Sequence, residues 1–219
     1  LEFRRVLFRS QKPKPQRSEL ILLKVCLFGG TFDPPHNAHF IIAEAIRESL
    51  DLNKIVFIPA YRPPHKFEIK PVTPVEHRIA MLKLCIDDIS QFEYSDIEIV
   101  RGGVSYTIDT IREMKKEKNV TSSDLHFLIG SDSLAEFKSW KDWEDILNES
   151  QVIVARRPRF EKSDIDADII DKVQFLNLPR MEISSTEIRD RFHADRMTRF
   201  YVPTVVSEYI QNNKLYGPE

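Results

Sequence analysis

Cysteine is scarce: Cys26 and Cys85 are the only two in 219 residues, and they form no CxxC pair. Both read as small buried hydrophobes in a reducing compartment. A chain of this length buries a sizeable core, so folding requires neither disulfides nor a metal. Long apolar runs are missing as well; none approaches the ~18 residues of a membrane span. Neither sign of charge is in excess, with 32 Lys and Arg against 34 Asp and Glu and a formal net charge of -2. That removes any global electrostatic case for nucleic acid or an anionic membrane. There is no internal repeat and no low-complexity tract. Residues 1–20 differ from the rest, opening without Met and carrying arginines at 4, 5, 9 and 17 and lysines at 12 and 14. They are expected to be a scar, a mis-set start or a disordered extension, with an Arg-rich organellar presequence as the alternative. Residues 21–219 are expected to form a single domain.

What is present is a regular alternation. Lys24 to Phe28 is an apolar run that stops at Gly29-Gly30, as a buried strand ending in a turn does. Ala38, Ile41, Ile42, Ala45, Ile46 and Leu50 then follow at helical spacing. Ile55–Ile58 is a second strand, followed by a proline-rich loop from Pro59 to Pro74 and a helix over Glu76–Ile86. Alternating polar and apolar residues predict a strand over Phe92–Val100. A helix is expected over Thr107–Lys118, a strand over Leu125–Ile129 ending at Gly130, and two short helices over Leu134–Leu147. Val152–Ala155 and Val173–Leu178 read as strands separated by a charged loop over 156–172, with closing helices at Thr186–Phe192 and Pro203–Asn213. The expected class is α/β, Rossmann-like, with a mostly parallel sheet and helices on both faces. In such sheets ligands sit at the carboxyl ends of the strands. Gly29-Gly30, Pro59, Gly130, Arg156-Arg157 and Ser184 all follow strand ends.

Two segments carry chemistry. GGTFDPPHNAH (29–39) joins the first strand to the first helix. Gly29 and Gly30 let backbone N–H groups approach a ligand, and the helix N-terminus suits phosphate. His36 and His39, three apart, lie on one side of the first turn. There they can donate hydrogen bonds to phosphate oxygens and stabilise charge on a leaving pyrophosphate. The spacing is neither that of a Walker loop nor GxGxxG. A zinc-ligand reading lacks a Cys or Glu partner nearby, and a plain surface reading stays open. In ISSTEIR (183–189), Ser184 and Glu187 match a capping box. The hydroxyls of Ser184, Ser185 and Thr186, with Arg189 one turn on, equally suit an anion.

Together these segments resemble the nucleotidyltransferase superfamily, with its (H/T)xGH helix start and ISSTxxR turn. Within it the chain is similar to the bacterial nicotinate-nucleotide adenylyltransferases over about residues 22–217. IPAYRPPHK (58–66), GVSYTIDT (103–110), FLIGSDSLAEFKSW (127–140), VARRP (154–158) and the ending over 202–217 match in the same order. The resemblance implies transfer of AMP from ATP to nicotinate mononucleotide, with Mg²⁺ accompanying ATP, by direct attack and without a covalent intermediate. No activated Ser or Cys nucleophile stands out, which agrees.

The resemblance assigns catalytic roles to His36, His39 and Arg189. It assigns ATP binding to Gly29, Gly30, Phe32, Gly130, Asp132, Ser184, Ser185 and Thr186. Thr31, Lys66, Thr107, Asp109, Trp140 and Arg157 would serve the second substrate, with Trp140 stacking on a cationic pyridine ring. Each has a structural reading beside it: Asp132 as a helix start, Thr107 as an N-cap with Asp109 in the first turn, Trp140 as packing with Trp143 competing for its role, and Lys66 as a solvated loop charge. Ala38 departs from the family's glycine before the second histidine, and Arg159 from another. The implied partners are ATP and nicotinate mononucleotide, not nucleic acid or a membrane, in a cytoplasmic enzyme for which a homo-oligomer is left open. The alternatives are a sister adenylyltransferase acting on nicotinamide mononucleotide or phosphopantetheine, and a non-catalytic nucleotide-binding module.

Overall fold

The computed structural model describes residues 23–62, 64, 73–155, 165–179 and 181–217. Six parallel strands form one sheet in the order β3-β2-β1-β4-β5-β6. They are β1 (Val25–Gly30), β2 (Lys54–Pro59), β3 (Phe92–Tyr94), β4 (Leu125–Gly130), β5 (Gln151–Ala155) and β6 (Gln174–Leu176). β1 pairs with β2 on one side, Cys26 opposite Ile55, and with β4 on the other, Cys26 opposite His126. Strand order therefore reverses between β1 and β4, the place where an open parallel sheet opens a crevice at its carboxyl ends.

The two-residue period of the strands divides the core in two. Val25, Leu27, Val56, Ile58, Leu125, Phe127, Val152 and Val154 face one way. They are covered by Ile108, Ile111 and Met114 of α4 (Thr107–Lys118) and Ile146 of α6 (Trp143–Glu149). Cys26, Ile55, Phe57, Leu128 and Ile153 face the other way, against Ala43 and Ile46 of α1 (Asn37–Ser49) and Leu82 and Ile86 of α2 (Val75–Ile86). A third cluster joins Met81 of α2 to Ile188 of α8 (Ser185–His193) and Val206 and Ile210 of α9 (Thr204–Asn212). That last cluster seats the ISSTEIR turn beside the β1–α1 loop. Among the described residues no helix is long and apolar enough to cross a membrane.

The strand expected over Phe92–Val100 ends at Tyr94, and Ile97–Arg101 is helix α3. Ser95 Oγ accepts from the Ile97 N–H (3.4 Å), while the Asp96 carbonyl takes the N–H groups of Ile99 and Val100 (both 2.9 Å). The alternation misleads because the buried residue is the charged one: Glu98 is 8% exposed and Val100 is 78% exposed. Glu98 tolerates burial because Thr110 Oγ1 donates to its Oε1 (2.9 Å). A short helix, α7 (Ala167–Ile170), interrupts the expected loop. The 134–147 segment starts earlier than expected, as α5 (Ser131–Ala135), because Gly130 is already its N-cap; a 3-10 turn (Phe137–Ser139) follows.

Candidate active site

The β1–α1 loop is shaped by its aromatic residues. Phe32 is buried at φ +50°, a left-handed conformation costly for a non-glycine residue. Its ring packs against Phe28 and Phe57 (both 5.7 Å between centroids) and against His39 (4.9 Å). It also lies over Gly30, where an added Cβ would meet the ring at 2.9 Å. Gly29 is different: a Cβ there meets nothing among the described residues within 4 Å, and the position is exposed. One glycine makes room for the protein and the other leaves room for something else.

His36 is the N-cap of α1, and its backbone N–H donates to His39 Nδ1 (3.1 Å). That bond makes Nδ1 of His39 the acceptor, so its proton sits on Nε2. The two rings stack at 3.6 Å with 20° between planes. Burial pushes His36 down to about 4, and burial first, then the repulsion a protonated His36 would exert, holds His39 well below the usual imidazole range. Both are therefore neutral donors at pH 7. His36 Nδ1 is buried and makes no hydrogen bond among the described residues. Ala38, at a family glycine position, is buried within the first turn of α1.

The ISSTEIR turn closes on this loop. Ser184 caps α8, accepting from the Glu187 N–H (3.1 Å), so the capping reading holds. Ser185 Oγ donates to the Pro34 carbonyl (2.9 Å). Arg189 donates through Nη1 to the Asp33 carbonyl (2.8 Å) and through Nη2 to Thr186 Oγ1 (3.2 Å). Two motifs about 150 residues apart are thereby joined, and two helix N-termini of eight or more residues, α1 and α8, come together. Three of Arg189's five N–H donors are not used in these bonds.

Below the loop lie residues that motif reading misses. Arg78 is 2% exposed and donates to the carbonyls of Thr31 (2.6 Å) and Ala60 (3.1 Å), tying the ends of β1 and β2 together. Burial pushes its guanidinium down and the Asp33 charge partly opposes that. A charge on the apolar face shared with Met81 and Leu82 was the available signal. Asp33 is likewise 2% exposed and accepts from the Tyr216 hydroxyl (2.6 Å) and the Thr73 N–H (3.4 Å). Ser105 returns two bonds to Arg62, N–H to carbonyl (2.9 Å) and hydroxyl from N–H (3.2 Å).

The remaining predicted residues gather after β3 and β4. Gly130 leaves open space for a Cβ among the described residues, and Asp132 is exposed in the first turn of α5. Thr107 is the first residue of α4 rather than its N-cap, which is Tyr106. Asp109 pairs with Lys141 (3.1 Å), whose ammonium also lies over the Tyr106 ring (4.7 Å). Trp140 is half-buried against Phe137 (5.3 Å) and Phe127 (6.3 Å), while Trp143 packs in α6 with Lys138 over its ring (5.7 Å). Lys66 and Arg157, and residues 1–20, lie outside the described residues. Among the described residues no group of three or more His, Cys, Asp or Glu side chains could hold a metal ion.

The cytidylyltransferase-like family model matches residues 27–191. The nicotinate-nucleotide adenylyltransferase of Bacillus subtilis is 36% identical over 193 residues, covering 88% of this chain and 98% of the relative. A probable nicotinate-nucleotide adenylyltransferase of Salinibacter ruber is 37% identical over 196 residues, covering 90% and 99%. The fold is shared with the Plasmodium falciparum nicotinic acid mononucleotide adenylyltransferase solved in complex with NaAD: TM-score 0.71, 23% identity, 89% of this chain and 97% of that one. On motif geometry, family match and full-length relatives together, the chain belongs to the cytidylyltransferase-like family, among the nicotinate-nucleotide adenylyltransferases.

Proposed function

We propose that this chain transfers AMP from ATP to nicotinate mononucleotide, releasing pyrophosphate and forming nicotinate adenine dinucleotide. The observation that carries this is the docking of Arg189 and Ser185 onto the loop that bears the stacked, neutral His36–His39 pair. That arrangement gathers imidazole N–H, guanidinium N–H and two helix N-termini at one place, which is what a triphosphate needs.

In this reading an oxygen of the mononucleotide phosphate attacks the α-phosphorus of ATP. One P–O bond forms as the bond to the bridging oxygen breaks, and the electron pair leaves on pyrophosphate. The attacking phosphate is already ionised near pH 7, so no general base is required. His39 Nε2–H and the unspent N–H groups of Arg189 stabilise the charge that builds on the leaving oxygens, with His36 beside them. The N-terminus of α8 and the hydroxyls of Ser184, Ser185 and Thr186 border the same phosphates. Gly29 and Gly130 let the backbone approach ATP, Gly30 makes room for the Phe32 ring that shapes the loop, and Asp132 accepts from ribose hydroxyls. Thr31, Thr107, Asp109 and Trp140 serve the mononucleotide, with Lys66 and Arg157 as phosphate contacts. Mg²⁺ would enter as part of the MgATP substrate and would neutralise part of the phosphate charge there. The setting is cytoplasmic and the partners are small molecules.

The test is product identification. MgATP and nicotinate mononucleotide incubated with the chain should give a species of the mass of nicotinate adenine dinucleotide. Its absence at high enzyme concentration would remove the proposal.

A further inference from the structure

The deepest charged group in the loop has no place in the chemistry just described. Asp33 is the sole carboxylate of the 29–39 segment and is almost fully buried. Its carbonyl oxygen accepts from Arg189, and covalent geometry keeps its carboxylate within a few ångström of that oxygen. A carboxylate is a far better partner for a guanidinium than a carbonyl, since it offers a bidentate, charge-assisted pair. It is instead held by the Thr73 N–H at Oδ2, faces the charge of buried Arg78, and is engaged at Oδ1 from the far end of the chain. The Tyr216 hydroxyl donates to Oδ1, a contact spanning 183 residues of sequence. The tail after α9 is bent to make it, with Lys214 at φ +54° and Tyr216 at φ +58°. Two left-handed non-glycine residues persist only where surrounding contacts hold them. The Tyr216 ring packs on Phe192 of α8, the helix that carries Arg189 (6.2 Å between centroids).

We propose that Tyr216 is a positioning residue for adenylyl transfer: by capping the buried Asp33 carboxylate it keeps that charge off Arg189 and leaves the guanidinium for the phosphates. The proposal rests on the adenylyltransferase reading of the site. It makes the C-terminal turn part of the triphosphate site although it need touch no substrate.

Tyr216→Phe keeps the ring and removes the hydroxyl. A charged hydrogen bond released to compete for Arg189 should lower kcat/KM for ATP by about tenfold or more. KM for the mononucleotide should change by less than about twofold, because that subsite lies after β3 and β4. Asp33→Asn in the same background removes the competing charge. The double variant should therefore recover to within about threefold of Asp33→Asn alone, a strong non-additivity. Binding of inorganic pyrophosphate, read by calorimetry without any acceptor, should weaken in Tyr216→Phe and recover in the double variant. Thermal melting of each variant accompanies the kinetics. The proposal is overturned if Tyr216→Phe matches the parent, if the two losses simply multiply, or if activity falls only in step with melting temperature and Asp33→Asn restores nothing. Absence of pyrophosphate release by the unaltered chain would count against the adenylyltransferase reading, while pyrophosphate binding by the variants would still decide the role of Tyr216.

Discussion

Replacing each of two adjacent glycines by alanine separates what the loop does for the fold from what it does for ATP. At Gly30 the new Cβ meets three atoms of the Phe32 ring at 2.9, 3.1 and 3.2 Å. That ring is held on its other sides by Phe28, Phe57 and His39, so it cannot swing aside without moving them. Overpacking of this kind costs about 1–3 kcal/mol. At this chain length that lowers the melting temperature by roughly 2–12 °C. At Gly29 the Cβ meets nothing among the described residues, and the backbone there is not left-handed. Alanine should leave stability unchanged or raise it by about 0.4–1 kcal/mol through the unfolded chain. Its cost appears only when ATP is present, as a KM raised about tenfold or more, which corresponds to one lost close backbone contact. Differential scanning fluorimetry and steady-state kinetics on both variants give the comparison. A Gly29→Ala enzyme with parental KM for ATP would refute the use of this open space, and a Gly30→Ala chain as stable as the parent would refute the packing argument.

The histidine pair predicts a pH dependence with a definite sign. Burial lowers His36 to about 4 and lowers His39 too, while the unfolded chain titrates near 6.5, so the unfolded state binds more protons between those values. The contribution to stability is fully present above pH 6.5 and is lost as the pH falls towards 4; melting curves from pH 4 to 8 should show that slope, His36→Asn should flatten it, and a slope confined to the region above pH 7 would contradict it. His39→Ala should lower kcat by about 10²–10³ with KM for ATP changed only a fewfold, since its N–H serves developing charge; a pure rise in KM would assign it to ground-state binding. Trp140→Leu keeps an apolar contact with Phe137 but loses the aromatic face, so KM for nicotinate mononucleotide should rise by about 2- to 30-fold with ATP unaffected. Equal effects on both substrates would return Trp140 to a packing role.

Much of this was legible because it is local. The KVCLFGG run, the helical spacing from Ala38 and the capping pattern of ISSTEIR each depend on neighbours in sequence, and β1, α1 and α8 lie where those patterns put them. Both halves of the proposed phosphate site were visible for the same reason. Their junction was not. The bonds from Ser185 and Arg189 go to the carbonyls of Pro34 and Asp33, and a backbone acceptor leaves no trace in side-chain identity. Arg78 is hidden likewise, since both its partners are carbonyls. Tyr216 and Asp33 are side chains, but a contact across 183 residues has no local signature. The α3 segment was misread because hydrophobic alternation assumes that the apolar residues are the buried ones, and Glu98, bonded to Thr110, inverts that assumption. Thr107 was displaced by one position because the cap of α4 is formed by the extended backbone of Tyr106, without a side-chain bond.

Acceptor choice is read directly from the rate of pyrophosphate release from MgATP with nicotinate mononucleotide and nicotinamide mononucleotide offered separately. Rapid release is expected with the nicotinate compound and a much slower rate with the amide. Equal rates would contradict the assignment of the acid as substrate, and no release with either would contradict the assignment of adenylyl transfer to the His36, His39 and Arg189 site.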